Sequence, residues 1–105
     1  MIVEARLRQR SLTPTLEEIT PYREALAVSE YEVERIVEGE LTRPIVRIAD
    51  WVIADGERLP SPAVGTRTRL VLEPFASQPQ LESVYLANTL PPDASGGTLY
   101  YAVAE

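Results

Sequence analysis

Residues Ala25 to Gly39, ALAVSEYEVERIVEG, decide what this chain folds into, because their apolar pattern fits two different elements. Read as a strand, Leu26 and Val28 alternate with small neighbours, as one face of a sheet requires. Tyr31 and Val33 continue the alternation after a one-residue shift at Ser29-Glu30, and a second shift falls between Val33 and Ile36. Each shift predicts a β-bulge, and bulges bend a strand where a sheet closes on itself. Read as a helix, Thr20 is the N-cap and Pro21 the first helical residue. Tyr22, Leu26, Ser29, Val33 and Ile36 then form the stripe, and Gly39 is the stop. That stripe leaves Val28, Tyr31 and Val37 off it and places the polar Ser29 inside it. The strand is preferred, with a short helical turn near Pro21, and the helix stays open as the alternative.

The remaining segments read mainly as β. Val3, Ala5 and Leu7 alternate with Glu4, Arg6 and Arg8, a half-buried strand. SLTPTLEEITPY, Ser11 to Tyr22, is a connector in which Thr15 to Glu18 resembles a capping box. Ile45 to Ile53 is apolar on both faces apart from Arg47 and Asp50, which suits a central strand covered on both sides. Asp55-Gly56 is a hairpin turn signal, and Leu59-Pro60-Ser61-Pro62 is excluded from any central strand. In Thr66 to Phe75, Thr66, Thr68, Leu70 and Leu72 share one face and Arg67, Arg69, Val71 and Glu73 the other. Leu81 to Leu90 is open between strand and short helix, and Pro91 to Gly97 is a loop. Leu99, Tyr101 and Val103 close a single domain, residues 1–105, with Tyr100 on the opposite face. Gly39 and Gly65 stand at strand boundaries, and at least one is expected at positive φ. The fold class is therefore mainly β: a small five- or six-stranded OB-like barrel or sandwich, closed so that strand edges are protected.

Composition narrows the chemistry. Cysteine, histidine and lysine are absent, and all ten basic residues are Arg. Disulfides, thiolate nucleophiles, Schiff-base amines and the usual neutral-pH general base are excluded. Net charge is −6, with 13 Glu among 16 acidic residues, against a nucleic-acid partner or an anionic membrane surface. Apolar runs are too short for a transmembrane helix, so no membrane insertion is expected. The residues after Met1, IVEARLRQR, lack the apolar run of a signal peptide. A mature secreted domain would look the same, which leaves the compartment open.

The order EYEVERIVEG, IVRIADWVIADG, VGTRTRLVLEPF resembles OB-like barrels of the netrin or metalloproteinase-inhibitor type. Val33, Ile36 to Gly39, Ile45 to Ile48 and Gly65 to Leu72 carry the likeness. PYREAL before EYEV is also similar to small bacterial domains associated with cell-surface polysaccharide acetylation proteins. The first resemblance implies a fold; without the inhibitors' cysteines, it carries over no active residue. The second implies an accessory domain of a surface-associated, extracytoplasmic system.

No catalytic residue, metal site or cofactor is expected. Asp50 and Asp55 flank Trp51, and Glu30, Glu32 and Glu34 line one strand edge, but the glutamates read as a solvated face and Asp55 as a turn residue. Ser29 and Ser61 lack a nucleophile elbow and a histidine. Ser95-Gly96-Gly97 reads as a loop before an anion nest, and Asp93 lacks calcium-loop neighbours. The candidate binding residues are Tyr100, Tyr85, Trp51, Arg67 and Arg69. Trp51 and Tyr101 are expected in the core and Tyr100 at the surface. The preferred function is a non-enzymatic accessory module that docks a protein partner; the alternatives are a polysaccharide-binding module and a carboxylate-dependent hydrolase. An apolar patch or exposed edge strand favours the first, a coplanar aromatic row the second, and a facing carboxylate pair the third.

Overall fold

The computed structural model describes residues 1–91 and 97–103; Asp93 and the Ser95-Gly96 part of the nest considered above lie outside them. The chain is mainly β. In order it forms β1 (Ile2–Arg10), α1 (Leu16–Ile19), β2 (Ala25–Glu38), β3 (Ile45–Ala54), β4 (Glu57–Arg58) and β5 (Arg67–Pro74). Two 3-10 turns at Phe75–Ser77 and Pro79–Leu81 follow, then β6 (Tyr85–Ala87) and β7 (Leu99–Val103).

All seven strands belong to one sheet, ordered β4-β3-β7-β5-β1-β2-β6, and β3 also pairs with β2. The pairings β1–β2, β2–β3, β3–β7, β7–β5 and β5–β1 therefore return to their start, and β3–β7 is the parallel member of that ring.

Ala25–Glu38 is a strand, and the helix alternative is overturned. The shift expected between Val33 and Ile36 is present: Ala5 faces Val33 while Glu4 faces Arg35, leaving Glu34 as the extra residue. The shift expected at Ser29-Glu30 is not a bulge of β2 against β3, where the register runs unbroken from Leu26 to Glu32. Leu26 and Val28 instead face one way and Tyr31 the other, and all three are buried because both faces of this half-strand are covered. Against β1, an irregularity does fall nearby, with Arg8 as the extra residue between Leu7 and Gln9.

Two layers of packing result. The central core comprises Val3, Ala5 and Leu7 of β1, Tyr31, Val46, Ile48 and Leu72, with Val33, Leu70, Tyr100 and Ala102 packed against it. Alternate residues of β3 point the other way. Ala49 and Leu26 meet Leu81 of the 3-10 segment, joined by Trp51, Phe75, Val84, Leu99 and Tyr101. This covering of both faces is why Ile45–Ala54 reads as nearly continuous apolar sequence. An extra residue at Val52 then reverses the alternation, since Leu26 faces Trp51 but Ala25 faces Ile53. Ile53 and Ala25 thus share a third cluster with Ile19.

The local signals behind these elements are visible. Thr15 and Glu18 form the capping box, Glu18 N donating to Thr15 Oγ1 at 3.1 Å and Thr15 N to Glu18 Oε1 at 3.3 Å. The single turn of α1 serves to seat Ile19, 1% exposed, on the third cluster. Asp55 and Gly56 have φ of 52° and 75°, the left-handed pair that a two-residue hairpin between β3 and β4 demands. No helix among the described residues is long and apolar enough to cross a membrane.

Candidate functional site

The five candidate binding residues do not converge. Tyr100, expected at the surface, packs against the central core, because β7 turns Leu99 and Tyr101 to the other layer. Trp51 and Tyr101 are partly buried in that layer, where Trp51 Nε1 donates to Tyr101 Oη at 3.0 Å. Tyr85 packs on the third cluster and lies 6.2 Å from the Tyr22 ring, tilted by 55°. Arg67 and Arg69 stand on the outer face of β5. Arg67 Nε donates to Glu34 Oε1 at 2.7 Å, a bond that pushes the guanidinium pKa up, and Arg69 faces Glu4 across the pair.

The arginines and glutamates form a cross-strand ladder. Arg6 meets Glu32 at 3.6 Å, Arg8 meets Glu30 at 3.9 Å, and Arg35 meets Glu4 at 3.7 Å. Glu30, expected in a solvated row, is only 8% exposed. Its carboxylate accepts from Arg47 Nε at 3.2 Å, and Arg47 also donates to the Pro91 carbonyl. The signal was in the sequence: Arg6-x-Arg8 on one strand and Glu30-x-Glu32-x-Glu34 on its antiparallel neighbour have matching period, so opposite charges meet across the pair.

Two concave features lie where the β1–β2 connector approaches other loops. The first is an open groove of about 430 Å³ between Leu12–Pro14 and Glu18 on one side and Tyr85–Thr89 on the other. Its walls are tied together by Leu12 N donating to Thr89 Oγ1 at 2.9 Å and Thr89 N donating to the buried Ser11 hydroxyl at 3.0 Å. Ser11 in turn donates to the Val28 carbonyl at 2.7 Å, anchoring the groove to β2. Leu12 is 77% exposed and Leu86 38%, while β6 pairs on one side with β2 and ends the sheet. Of the five sequence candidates, only Tyr85 lines this groove. Leu12 and Leu86 were missed because an exposed leucine in a loop and one in a three-residue strand have no periodic signature.

The second feature is a small cavity of about 40 Å³ beneath Pro60–Pro62, holding the side of β3 that carries Asp50 and the side of β2 that carries Ser29 and Tyr31. Burial pushes the Asp50 carboxyl up to about 6 from 3.8. Burial, and secondarily the Asp50 charge, pushes the Tyr31 phenol up to about 12 from 10.0. Asp50 is the single carboxylate among the cavity's lining residues, so the facing pair that glycoside hydrolysis uses is not assembled there. Groups of three or more metal-ligating acidic side chains are not found among the described residues. A third concavity, an open groove of about 380 Å³, lies between β2 and residues 41–44, where Ile36 is 41% exposed. No family model, curated protein or solved structure matches this chain.

Proposed function

We propose that the chain is a non-enzymatic docking module built on an OB-like barrel, and that it captures an extended segment of a partner protein along β6. The ring of pairings through β1, β2, β3, β7 and β5 supports the barrel reading. In a five-stranded OB barrel, ligands bind near the loops after the first and the fourth strands. The observation that carries the proposal is the position of the groove: one wall comes from the β1–β2 connector and the other from the β5–β7 connection, with Leu12 and Leu86 exposed upon them.

The chemistry of the groove favours protein over the ligands most common for such barrels. An edge strand supplies backbone donors and acceptors to an added strand, and apolar side chains beside it select the segment. Glu18 lines the groove, Glu17 is exposed beside it, and the chain carries a net charge of −6, so the complementary segment is apolar with flanking Arg or Lys. A polyanionic strand is opposed by the same charge. The tilted Tyr22–Tyr85 pair lacks the coplanar geometry of a sugar platform.

Capture from native-host extract on immobilised protein tests this. Parent and Ile36→Asp are expected to retain the same partner, and the double variant Leu12→Asp/Leu86→Asp to lose it with unchanged circular dichroism and melting temperature. Retention by the double variant, or loss with Ile36→Asp alone, refutes the assignment of the groove.

A further inference from the structure

The cavity beside Asp50 adjoins the groove through Thr13 and Ser11 but opens against a different set of residues, and the docking proposed above does not use it. Its volume of about 40 Å³ is room for roughly three waters, at about 10–15 Å³ of accessible volume each. That suffices for an ammonium group and the carbon that bears it. The Asp50 carboxylate makes no hydrogen bond or ion pair among the described residues, and Tyr31 and Ser29 line the same space. Asp50 is half-buried, and a carboxylate so placed without a protein donor favours a charged or strongly polar group that pairs with it in the cavity.

The chain's own cations are committed elsewhere or misplaced. There is no lysine, and the N-terminal ammonium donates to the Leu72 carbonyl at 3.1 Å. The one cation lining the cavity is Arg10, whose side chain is exposed at its rim. The charged and titratable groups facing the space are thus Asp50 from β3, Tyr31 from β2 and Arg10 from the end of β1; the connector and the proline loop contribute Ser11, Thr13 and Ser61. An anion inside and a cation at the lip suit a ligand that carries both charges.

We propose that this cavity binds a small zwitterion with a primary ammonium and a carboxylate, an α-amino acid of glycine or alanine size, its ammonium against Asp50 and its carboxylate at Arg10. The ammonium supplies three donors to the acceptors that line the space. The carboxylate stays outside the narrow part, where the guanidinium fork fits it.

Trp51 lines the cavity and is the single tryptophan, so its fluorescence reports occupancy. Glycine is titrated at pH 8 and constant ionic strength, alongside methylammonium, acetate and trimethylglycine. A saturable change with glycine is expected, weaker with methylammonium and absent with acetate and trimethylglycine, the last having no ammonium protons. Asp50→Asn should abolish the glycine response, and Arg10→Ala should weaken it about tenfold while leaving methylammonium unchanged. Amide NMR shifts at residues 29–31 and 50–52 provide a second readout if the indole is silent. The proposal is overturned if neither readout saturates, if trimethylglycine gives the same response, if the response survives Asp50→Asn, or if Arg10→Ala leaves glycine affinity unchanged.

Discussion

Replacing Asp50 by asparagine should make the protein more stable at neutral pH, which is the opposite of what most substitutions at a half-buried polar position do. The carboxyl titrates near 6 in the folded chain and near 3.8 in the unfolded one. Between those values the unfolded chain releases a proton that the folded chain retains. Stability therefore falls as pH rises through that window, and stays at the lower level above it. At 1.36 kcal/mol per pH unit, the loss attached to this one group is about 3 kcal/mol as an upper bound. Asparagine keeps the shape and carries no charge, so it removes the loss. For a chain of this size, 3 kcal/mol corresponds to a shift in Tm on the order of 10 °C.

Urea unfolding of parent and Asp50→Asn, run from pH 4 to pH 8, measures the effect directly. The two proteins are expected to be close in stability at pH 4, where the carboxyl is protonated in the folded state. They should diverge from about pH 4 upwards, with the variant ahead by a margin that grows through about pH 6 and then levels off. Equal or lower stability of the variant at pH 8 would refute the reasoning, because it would mean that the ionised carboxylate is well solvated or paired where the fold places it.

Four further outcomes follow from the same structure. Ultraviolet titration of Tyr31 should show a phenol ionising near 12, and in Asp50→Asn the value should fall part of the way towards 10.0, since the smaller of its two causes is gone. Gly39→Ala and Gly65→Ala should each destabilise by about 1–2 kcal/mol in thermal melts, because both residues hold left-handed φ, 103° and 96°. Gly39 should suffer more, as an added Cβ would lie 3.1 Å from the Met1 side chain, whereas nothing crowds Gly65. Glu30→Ala should cost about 3 kcal/mol by leaving the partly buried Arg47 uncompensated, whereas Glu34→Ala removes an exposed pair and should cost less than about 1 kcal/mol. Ile19→Ala should cost about 2–5 kcal/mol and loosen the β1–β2 connector, visible as faster amide exchange at residues 12–19.

The elements legible in the sequence are those with local causes. Thr15 and Glu18 cap their turn with each other, Asp55-Gly56 makes its own hairpin, and Val3, Ala5 and Leu7 face a core on one side only. The pattern misleads where burial on both faces erases the sign of the alternation. In β2, Leu26 looks out of step with Tyr31 because each is buried in a different layer. In β7, the same covering of both faces packs Tyr100 against the central core as well as Tyr101 against the other layer, so the surface placement expected for Tyr100 does not hold. The Phe75–Leu81 turns and β6 take their form from packing on β2 and β3, through Leu81, Phe75 and Tyr85, and the chain near them carries no period of its own. The setting of Asp50 was equally hidden, since it is enclosed by Pro60–Pro62, a segment that approaches it only in the folded chain.

The distribution of charge along β2 contrasts with the setting of Asp50 on the neighbouring strand. At the β1 and β5 faces nearly every glutamate meets an arginine, and the most enclosed of them, Glu30, has two. One strand over, Asp50 sits in a cavity with no such partner, although Arg10 is close enough to line the same space. A sheet that pairs its outer carboxylates this thoroughly has no physical difficulty in neutralising one more, and asparagine would do so without any partner. Keeping an ionisable, unpaired carboxyl there costs folding stability at neutral pH. A bound cation offsets that cost, in the measure that it binds the folded chain and not the unfolded one. Strongly perturbed groups of this kind concentrate where ligands are handled. The stability deficit and the proposed zwitterion site are therefore one hypothesis seen from two sides: the same Asp50→Asn substitution should raise the melting temperature of the free protein and remove its response to glycine.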